Sequence, residues 1–243
     1  MYLQGREENQ SMNVAIHEIG RSGSHVLVID DFLDNARAVV EAAARLAPFP
    51  PEGDTAYPGL RRQIGPADPV SGYVVAALRT VAPHIRDAFD AASFAVTEAS
   101  FSIVTTRPEH LLGVQRVPHI DSDDQALLAI LHHLHDIPDT GTAFYRHIAT
   151  GLERADQASS ATLREHLRAE AALLDPGSPA FAGETNSTFE KIFEVEGRFN
   201  RLVVYPGALL HSGVISPDFA YSPDPRQGRL TANIFIRTDP GEG

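Results

Sequence analysis

Hydrophobic and polar positions along the chain alternate between two periods. Residues 24–33 form a short apolar run that stops at Asp30 and Asp31, the pattern of a buried strand ending where the carboxylates begin. Asn35 then offers an N-cap, and apolar residues at helical spacing predict a helix over 36–46, stopped by Pro48, Pro50 and Pro51. Residues 49–69, rich in Pro, Gly and Asp, read as a loop, and 70–90 resume a helical pattern that Pro83 interrupts. From Phe94 the period falls to two. Phe101, Ile103 and Thr105 alternate with smaller residues, 125–135 reads as a central strand, and 142–147 reads as the next. Between 152 and 174 the spacing of Leu163, Leu167, Ala171 and Leu174 is helical again, ended by Asp175-Pro176-Gly177. Strands return over 189–195, 201–205 and 229–237, where Leu230, Ala232, Ile234 and Ile236 alternate with Thr231, Asn233 and Phe235.

These elements predict one mainly β domain over 24–243 with flanking helices and a helical insertion at about 148–180, preceded by a polar leader over 1–23 that is partly disordered. The insertion is expected to cover the mouth of a pocket on the β core. A chain of 243 residues with 43% hydrophobic content can build one sizeable core. The net charge of −12 and the lack of any basic run argue against nucleic acid and anionic membrane as partners. No apolar run reaches the length of a membrane span, and the first eleven residues lack the apolar core of a signal peptide, so a cytoplasmic location is expected. With no cysteine, any metal must be held by histidine and carboxylate, and eleven histidines are available.

The chemistry concentrates on Arg116-Val117-Pro118-His119-Ile120-Asp121. One residue between an imidazole and a carboxylate lets both converge on a single ion. Such a pair is two thirds of the 2-His-1-carboxylate triad that holds non-haem Fe(II). His211 supplies a second imidazole from a distant strand, and Arg229 supplies a cation shortly after it. Arg62 of the adjacent pair Arg61-Arg62 is a candidate for contacting an anionic ligand, and Arg116 flanks the metal pair. In His132-His133-Leu134-His135 the second and fourth residues share a strand face, so His133 and His135, with Tyr145 on the next strand, are candidates to line or flank the pocket. Asn233 on the last strand is another.

The chain order of strand, His119-x-Asp121, strands, helical insert, His211 and Gly228-Arg229-Leu230-Thr231 resembles the Fe(II)/2-oxoglutarate-dependent dioxygenases, within them the prolyl-hydroxylase-like branch. The likeness includes the Val-Ile-Asp-Asp-Phe-Leu strand at 28–33, Gly-Thr-Ala-Phe at 141–144 and Tyr-Pro-Gly at 205–207, and it covers about 26–238. It implies a double-stranded β-helix, or jelly roll. It implies Fe(II) on His119, Asp121 and His211, 2-oxoglutarate as cosubstrate and O2 as oxidant. Arg229 would hold the far carboxylate of 2-oxoglutarate, with Thr231, two residues on and facing the same way, adding a hydroxyl donor. One departure is the wide spacing between His211 and Arg229, filled by a proline-rich loop in which Arg226 competes for the role; position at the head of a strand favours Arg229. A carboxylate at Asp121, where halogenating relatives carry Gly or Ala, points to hydroxylation of an unactivated C–H in a small molecule, amino acid or peptide side chain, with release of succinate and CO2. A homodimer is compatible with the sequence. The alternative is a cupin-type jelly-roll metalloprotein with Zn or Mn, acting as a hydrolase, an isomerase or a noncatalytic binding module.

Overall fold

The computed structural model describes residues 12–51, 57–174, 185–216 and 218–240. Two antiparallel sheets face each other. The larger runs β1-β2-β8-β5-β10-β4-β3 and the smaller β7-β6-β9. In chain order the strands are β1 (Asn13–Ile19), β2 (Ser24–Asp30), β3 (Gly59–Gln63), β4 (Ala91–Val104), β5 (Leu127–His133), β6 (Gly141–His147), β7 (Phe189–Glu196), β8 (Leu202–Pro206), β9 (His211–Val214) and β10 (Arg229–Pro240). The helices are α1 (Ala36–Arg45), α2 (Ser71–Phe89) and α3 (Ser160–Leu173). This is the jelly roll expected from the sequence.

The period of two sorts each strand's side chains between two jobs. Leu27, Ile29, Leu128, Ile130, Ile234 and Ile236 point to one side of the large sheet and pack on Val74, Ala77, Val81 and Ile85 of α2. Phe101, Ile103, Leu230 and Ala232 do the same against Val39, Val40 and Ala43 of α1. The alternate residues face the small sheet, where Val26, Val28, Ala129 and Val203 close on Phe144 and Val195. In β10 that inner set is Arg229, Thr231, Asn233 and Phe235, which all line a cavity between the sheets. One strand therefore supplies both core and site.

Three expectations change. The leader 1–23, expected to be partly disordered and to lie outside the β domain, contributes a strand to it. Residues 1–11 lie outside the described residues, but Asn13–Ile19 form β1, paired in register with all of β2. Val14 and Ile16 are exposed on this edge strand, which hid its periodicity, and the hairpin turn relies on Gly20 and Gly23 at φ +65 and +61. Within the 49–69 loop, Gly59–Gln63 form the edge strand β3 on β4. Pro83 does not end α2. It costs one helical hydrogen bond, and burial of Val74, Ala77, Val81 and Ile85 along one face outweighs that.

Within the insertion Ser160–Leu173 form α3, while 175–184 lie outside the described residues. Its position differs from the expected lid. Leu163, Leu167 and Ala171 pack on Val117, Ile120, Tyr145 and Leu210, behind the segment that carries His119. Gly113 makes the approach possible, since a Cβ there would lie 2.5 Å from the Ala171 carbonyl oxygen. No described residue of 148–174 lines the cavity. An apolar stripe at helical spacing is buried against a wall rather than held over a mouth, so α3 is a buttress. Leu163, fully buried, should cost about 2–5 kcal/mol when cut to alanine. Urea unfolding measures this, and a loss under about 1 kcal/mol would mean that α3 is not part of the cooperative core.

Candidate metal centre and cosubstrate pocket

After a bend at 116–117, His119 forms an antiparallel bridge with His211 at the start of β9. His119 N–H donates to the His211 carbonyl at 2.8 Å, and His211 N–H returns a bond to His119 at 2.9 Å. Two residues on, Asp121 N–H donates to Gly207 at 2.8 Å. Residues 119 and 121 thus share a face and meet the side chain of residue 211. The two rings lie 4.4 Å apart by centroid. Asp121 Oδ1 is 3.7 Å from His119 Nε2 and Oδ2 is 3.6 Å from His211 Nε2.

Those separations are too long for hydrogen bonds. His211 Nδ1 lies 2.9 Å from the Leu209 carbonyl, an acceptor, so Nδ1 carries a proton and donates it there, which turns Nε2 toward Asp121. Asp121 Oδ2 is buried with no hydrogen-bond partner. Burial pushes the Asp121 carboxyl above the usual carboxylate range, against the pull of His211 and Arg61. Burial, then the neighbouring His211 and Arg61 charges, lowers His119 to about 3. Its side chain is still 45% exposed toward the cavity, which moderates the burial; the direction is toward a neutral ring, the form that donates a lone pair. Three acceptor atoms within 4.8 Å of one another, one of them buried and unpartnered, form a donor set that a divalent cation satisfies.

The cavity, of about 310 Å³, continues from this cluster to Arg229. Arg229 is 5% exposed. Its Nη2 donates to the Gly141 carbonyl at 3.0 Å, its Nε has no partner, and among the described residues no carboxylate pairs with it. Burial accordingly lowers its pKa from the ordinary arginine value. A buried cation without a counter-charge calls for an anion. Beside it lie Thr231 and the Thr142 hydroxyl, which is also buried without a partner. Arg226, the competing cation, is exposed and paired with Glu41 at 2.8 Å.

His119, Asp121, His211, Arg229, Thr231 and Asn233 all line this cavity, as the sequence suggested. Five other candidates do not. Arg62 points to the opposite face of β3 and pairs with Asp68 at 2.6 Å; its neighbour Arg61 faces inward. Arg116 is buried and donates to the carbonyls of Leu111 and Pro108, holding the loop that precedes His119. Tyr145 is fully buried in the α3 cluster. His133 and His135 share a face as expected, 3.4 Å apart between Nδ1 and Nε2; both are buried beside Arg229, His133 pairing in register with Thr231, and flank the cavity without lining it. His132, on the other face, bonds Tyr73 and Asn200.

Of the pair Arg61-Arg62 the sequence favoured the wrong member, and Thr142 and Tyr205 were missed as lining residues. Thr142 and Tyr205 sit within the Gly-Thr-Ala-Phe and Tyr-Pro-Gly stretches, so a signal was present. Arg61 is paired in register with Ser102 of β4, and Ser102 with Thr231 of β10. Arg61 Nε donates to Ser102 Oγ at 3.1 Å, and its Cζ lies 4.8 Å from the centre of the Tyr57 ring. Asn233 donates to the same hydroxyl at 2.9 Å.

Residues 10–236 match the model of a family of unknown function, DUF6445. No curated protein matches the sequence. Among solved structures, HygX from Streptomyces hygroscopicus with nickel and 2-oxoglutarate bound is 15% identical, with TM-score 0.52 over 90% of this chain and 84% of that one. AviO1 from Streptomyces viridochromogenes Tue57 is 15% identical, with TM-score 0.50 over 90% and 91%. A prolyl-4-hydroxylase from Pseudomonas putida is 16% identical, with TM-score 0.46 over 89% and 94%. The first two likenesses show that the chain has the double-stranded β-helix its sequence implied.

Proposed function

The chain belongs to the family of unknown function DUF6445, and from that premise we propose that it is an Fe(II)/2-oxoglutarate-dependent oxygenase that hydroxylates a C–H of a small molecule, amino acid or peptide side chain. The observation that carries this reading is one cavity with two complementary ends: His119, Asp121 and His211 converge at one, and the buried, unpaired Arg229 waits at the other. HygX, of the same fold, holds nickel and 2-oxoglutarate together in its solved structure. A hydrolase or isomerase of cupin type needs no such cation opposite its metal.

His119, Asp121 and His211 would hold the metal from the protein side, leaving its remaining positions toward the cavity. When bound, Fe(II) and 2-oxoglutarate supply the O2 activation that no side chain provides, with succinate and CO2 as the products of the 2-oxo acid. Arg229 binds the far carboxylate of the cosubstrate through its guanidinium fork, and the Thr231 and Thr142 hydroxyls donate beside it. Val104, Val117, Ile120 and Leu131 make the walls apolar and keep water from the reacting atoms. Asp121 keeps the third protein ligand a carboxylate, the arrangement that the resemblance associates with hydroxylation. The test is succinate formation by the Fe(II)-loaded chain over a library of metabolites and short peptides. Absence of succinate with every candidate, together with no stabilisation of the metal-loaded chain by 2-oxoglutarate, overturns the proposal.

On the substrate side the inward-facing cation is Arg61, its plane fixed by Ser102 and the Tyr57 ring. It suits a substrate bearing a carboxylate or phosphate. A hydrogen bond to a charged group contributes about 1.5–3 kcal/mol. Arg61→Ala should therefore raise KM for an acid-bearing substrate roughly 10- to 100-fold and leave 2-oxoglutarate affinity unchanged. Equal loss of both affinities would place Arg61 on the cosubstrate instead.

A further inference from the structure

We propose that His147, His166 and Glu170 form a second metal site, one that takes Zn(II) and clamps α3 to the end of β6. None of the three lines the cavity, so this inference does not depend on the proposed oxygenase chemistry. His147 is the last residue of β6 and is fully buried. His166 and Glu170 stand four apart on α3, which puts them on one helix face. One ligand atom from each lies within 4.8 Å of the others. His147 Nε2 is 2.7 Å from Glu170 Oε1, and the His147 and His166 rings are 5.4 Å apart by centroid.

Two observations separate this cluster from an ordinary histidine–glutamate pair. The second carboxylate oxygen of Glu170, Oε2, is buried with no hydrogen-bond partner. A simple ion pair leaves that atom stranded, whereas a cation between Glu170 and the two rings draws on it. Second, His147 Nδ1 lies 2.8 Å from Thr150 Oγ1, so the imidazole is held from behind. With the proton on Nδ1 and donated to Thr150, Nε2 presents its lone pair to the metal, as a supported zinc ligand does.

Two imidazoles and a carboxylate suit Zn(II), with water in the fourth tetrahedral position, at about 2.0–2.2 Å from each ligand. Ligand atoms around a tetrahedral Zn(II) stand roughly 3.3 Å apart, so the 2.7 Å His147–Glu170 hydrogen bond opens slightly to admit the ion, with the exposed His166 completing the set. Its exposure also gives the ion a way in. Binding replaces the Nε2–H hydrogen bond to Glu170: the ring proton moves to Nδ1, where the Thr150 hydroxyl turns to accept it, and Glu170 is the charged ligand. The consequence is mechanical: α3, which buttresses the 113–120 segment from behind, is tied to the small sheet through its last two turns.

The experiment is equilibrium dialysis of the untagged, chelator-stripped chain against buffered Zn(II), with metal counted per chain and thermal unfolding followed in parallel. The wild-type chain should bind two Zn(II). His166→Ala and Glu170→Gln should each bind one, with affinity at the lost site down more than about tenfold. The double variant His119→Ala/His211→Ala should also bind one and still be stabilised by Zn(II), and adding His166→Ala to it should remove that stabilisation. His166 is exposed, so its variant tests binding without disturbing the core. A count of zero in His119→Ala/His211→Ala, or an equivalent in that double variant that survives both His166→Ala and Glu170→Gln, overturns the site and leaves a plain His147–Glu170 pair.

Discussion

His211→Ala is expected to remove Fe(II) binding at the cavity and to lower succinate formation more than about 100-fold. Replacing groups that merely support a metal ligand costs about 10- to 100-fold, and His211 is read as a ligand itself. Its Nε2 faces the buried Asp121 oxygen at 3.6 Å, and no other described side chain is placed to replace it in that cluster. The fold should survive. The bridge between residues 119 and 211 is made by main-chain groups that alanine retains. Truncating one buried ring falls in the ordinary range of about 0.5–3 kcal/mol. Calorimetric titration of Fe(II) under anaerobic conditions, beside a circular dichroism melt, separates loss of the ligand from loss of the fold. A His211→Ala variant that binds iron as tightly as the wild type would remove His211 from the site.

Arg229→Ala is expected to weaken 2-oxoglutarate roughly 30-fold or more, corresponding to about 2–5 kcal/mol for stranding a carboxylate in a buried site. Metal affinity should hardly change, because the guanidinium is not among the converging atoms. A second consequence has the opposite sign to most core substitutions. Among the described residues Arg229 has no counter-charge, so without 2-oxoglutarate its removal should leave the melting temperature unchanged or higher. Arg226→Ala, at an exposed ion pair with Glu41, should alter cosubstrate binding little. Thermal shift of all three proteins, with and without 2-oxoglutarate in the presence of Mn(II), reads both effects. Loss of the shift in the Arg226 variant alone would move the anchor into the loop.

The strand that carries Arg229 shows why so much of the architecture was legible in the sequence. In β10 apolar residues occupy every second position from Leu230 to Ile236, so the period fixed the strand, its buried face and the cavity-facing Arg229, Thr231 and Asn233. His119 and Asp121 were readable for a related reason: a spacing of two on extended chain means a shared face. The same rule explains the Arg61–Arg62 error. Adjacent residues on a strand point oppositely, and with 49–69 read as loop the choice between them had no basis. Only the pairing of Arg61 with Ser102 decides it. β1 was hidden because an edge strand exposing Val14 and Ile16 lacks a buried stripe to alternate against. The place of α3 was not legible, since helical spacing states that Leu163, Leu167 and Ala171 are buried and not which surface buries them. Tyr145 failed as a pocket residue for that reason too, while His133 and His135 flank the cavity beside Arg229 without lining it.

The most direct test of the proposed chemistry is a titration of 2-oxoglutarate into the Fe(II)-loaded chain without oxygen, followed by visible absorbance. A 2-oxo acid that chelates Fe(II) through its keto and carboxylate oxygens gives a charge-transfer band. The band should saturate at one 2-oxoglutarate per wild-type chain, need roughly 30-fold or more cosubstrate in Arg229→Ala, and be lost in His211→Ala. A wild-type chain that binds Fe(II) and shows no band at any 2-oxoglutarate concentration, or a band indifferent to both substitutions, would contradict it.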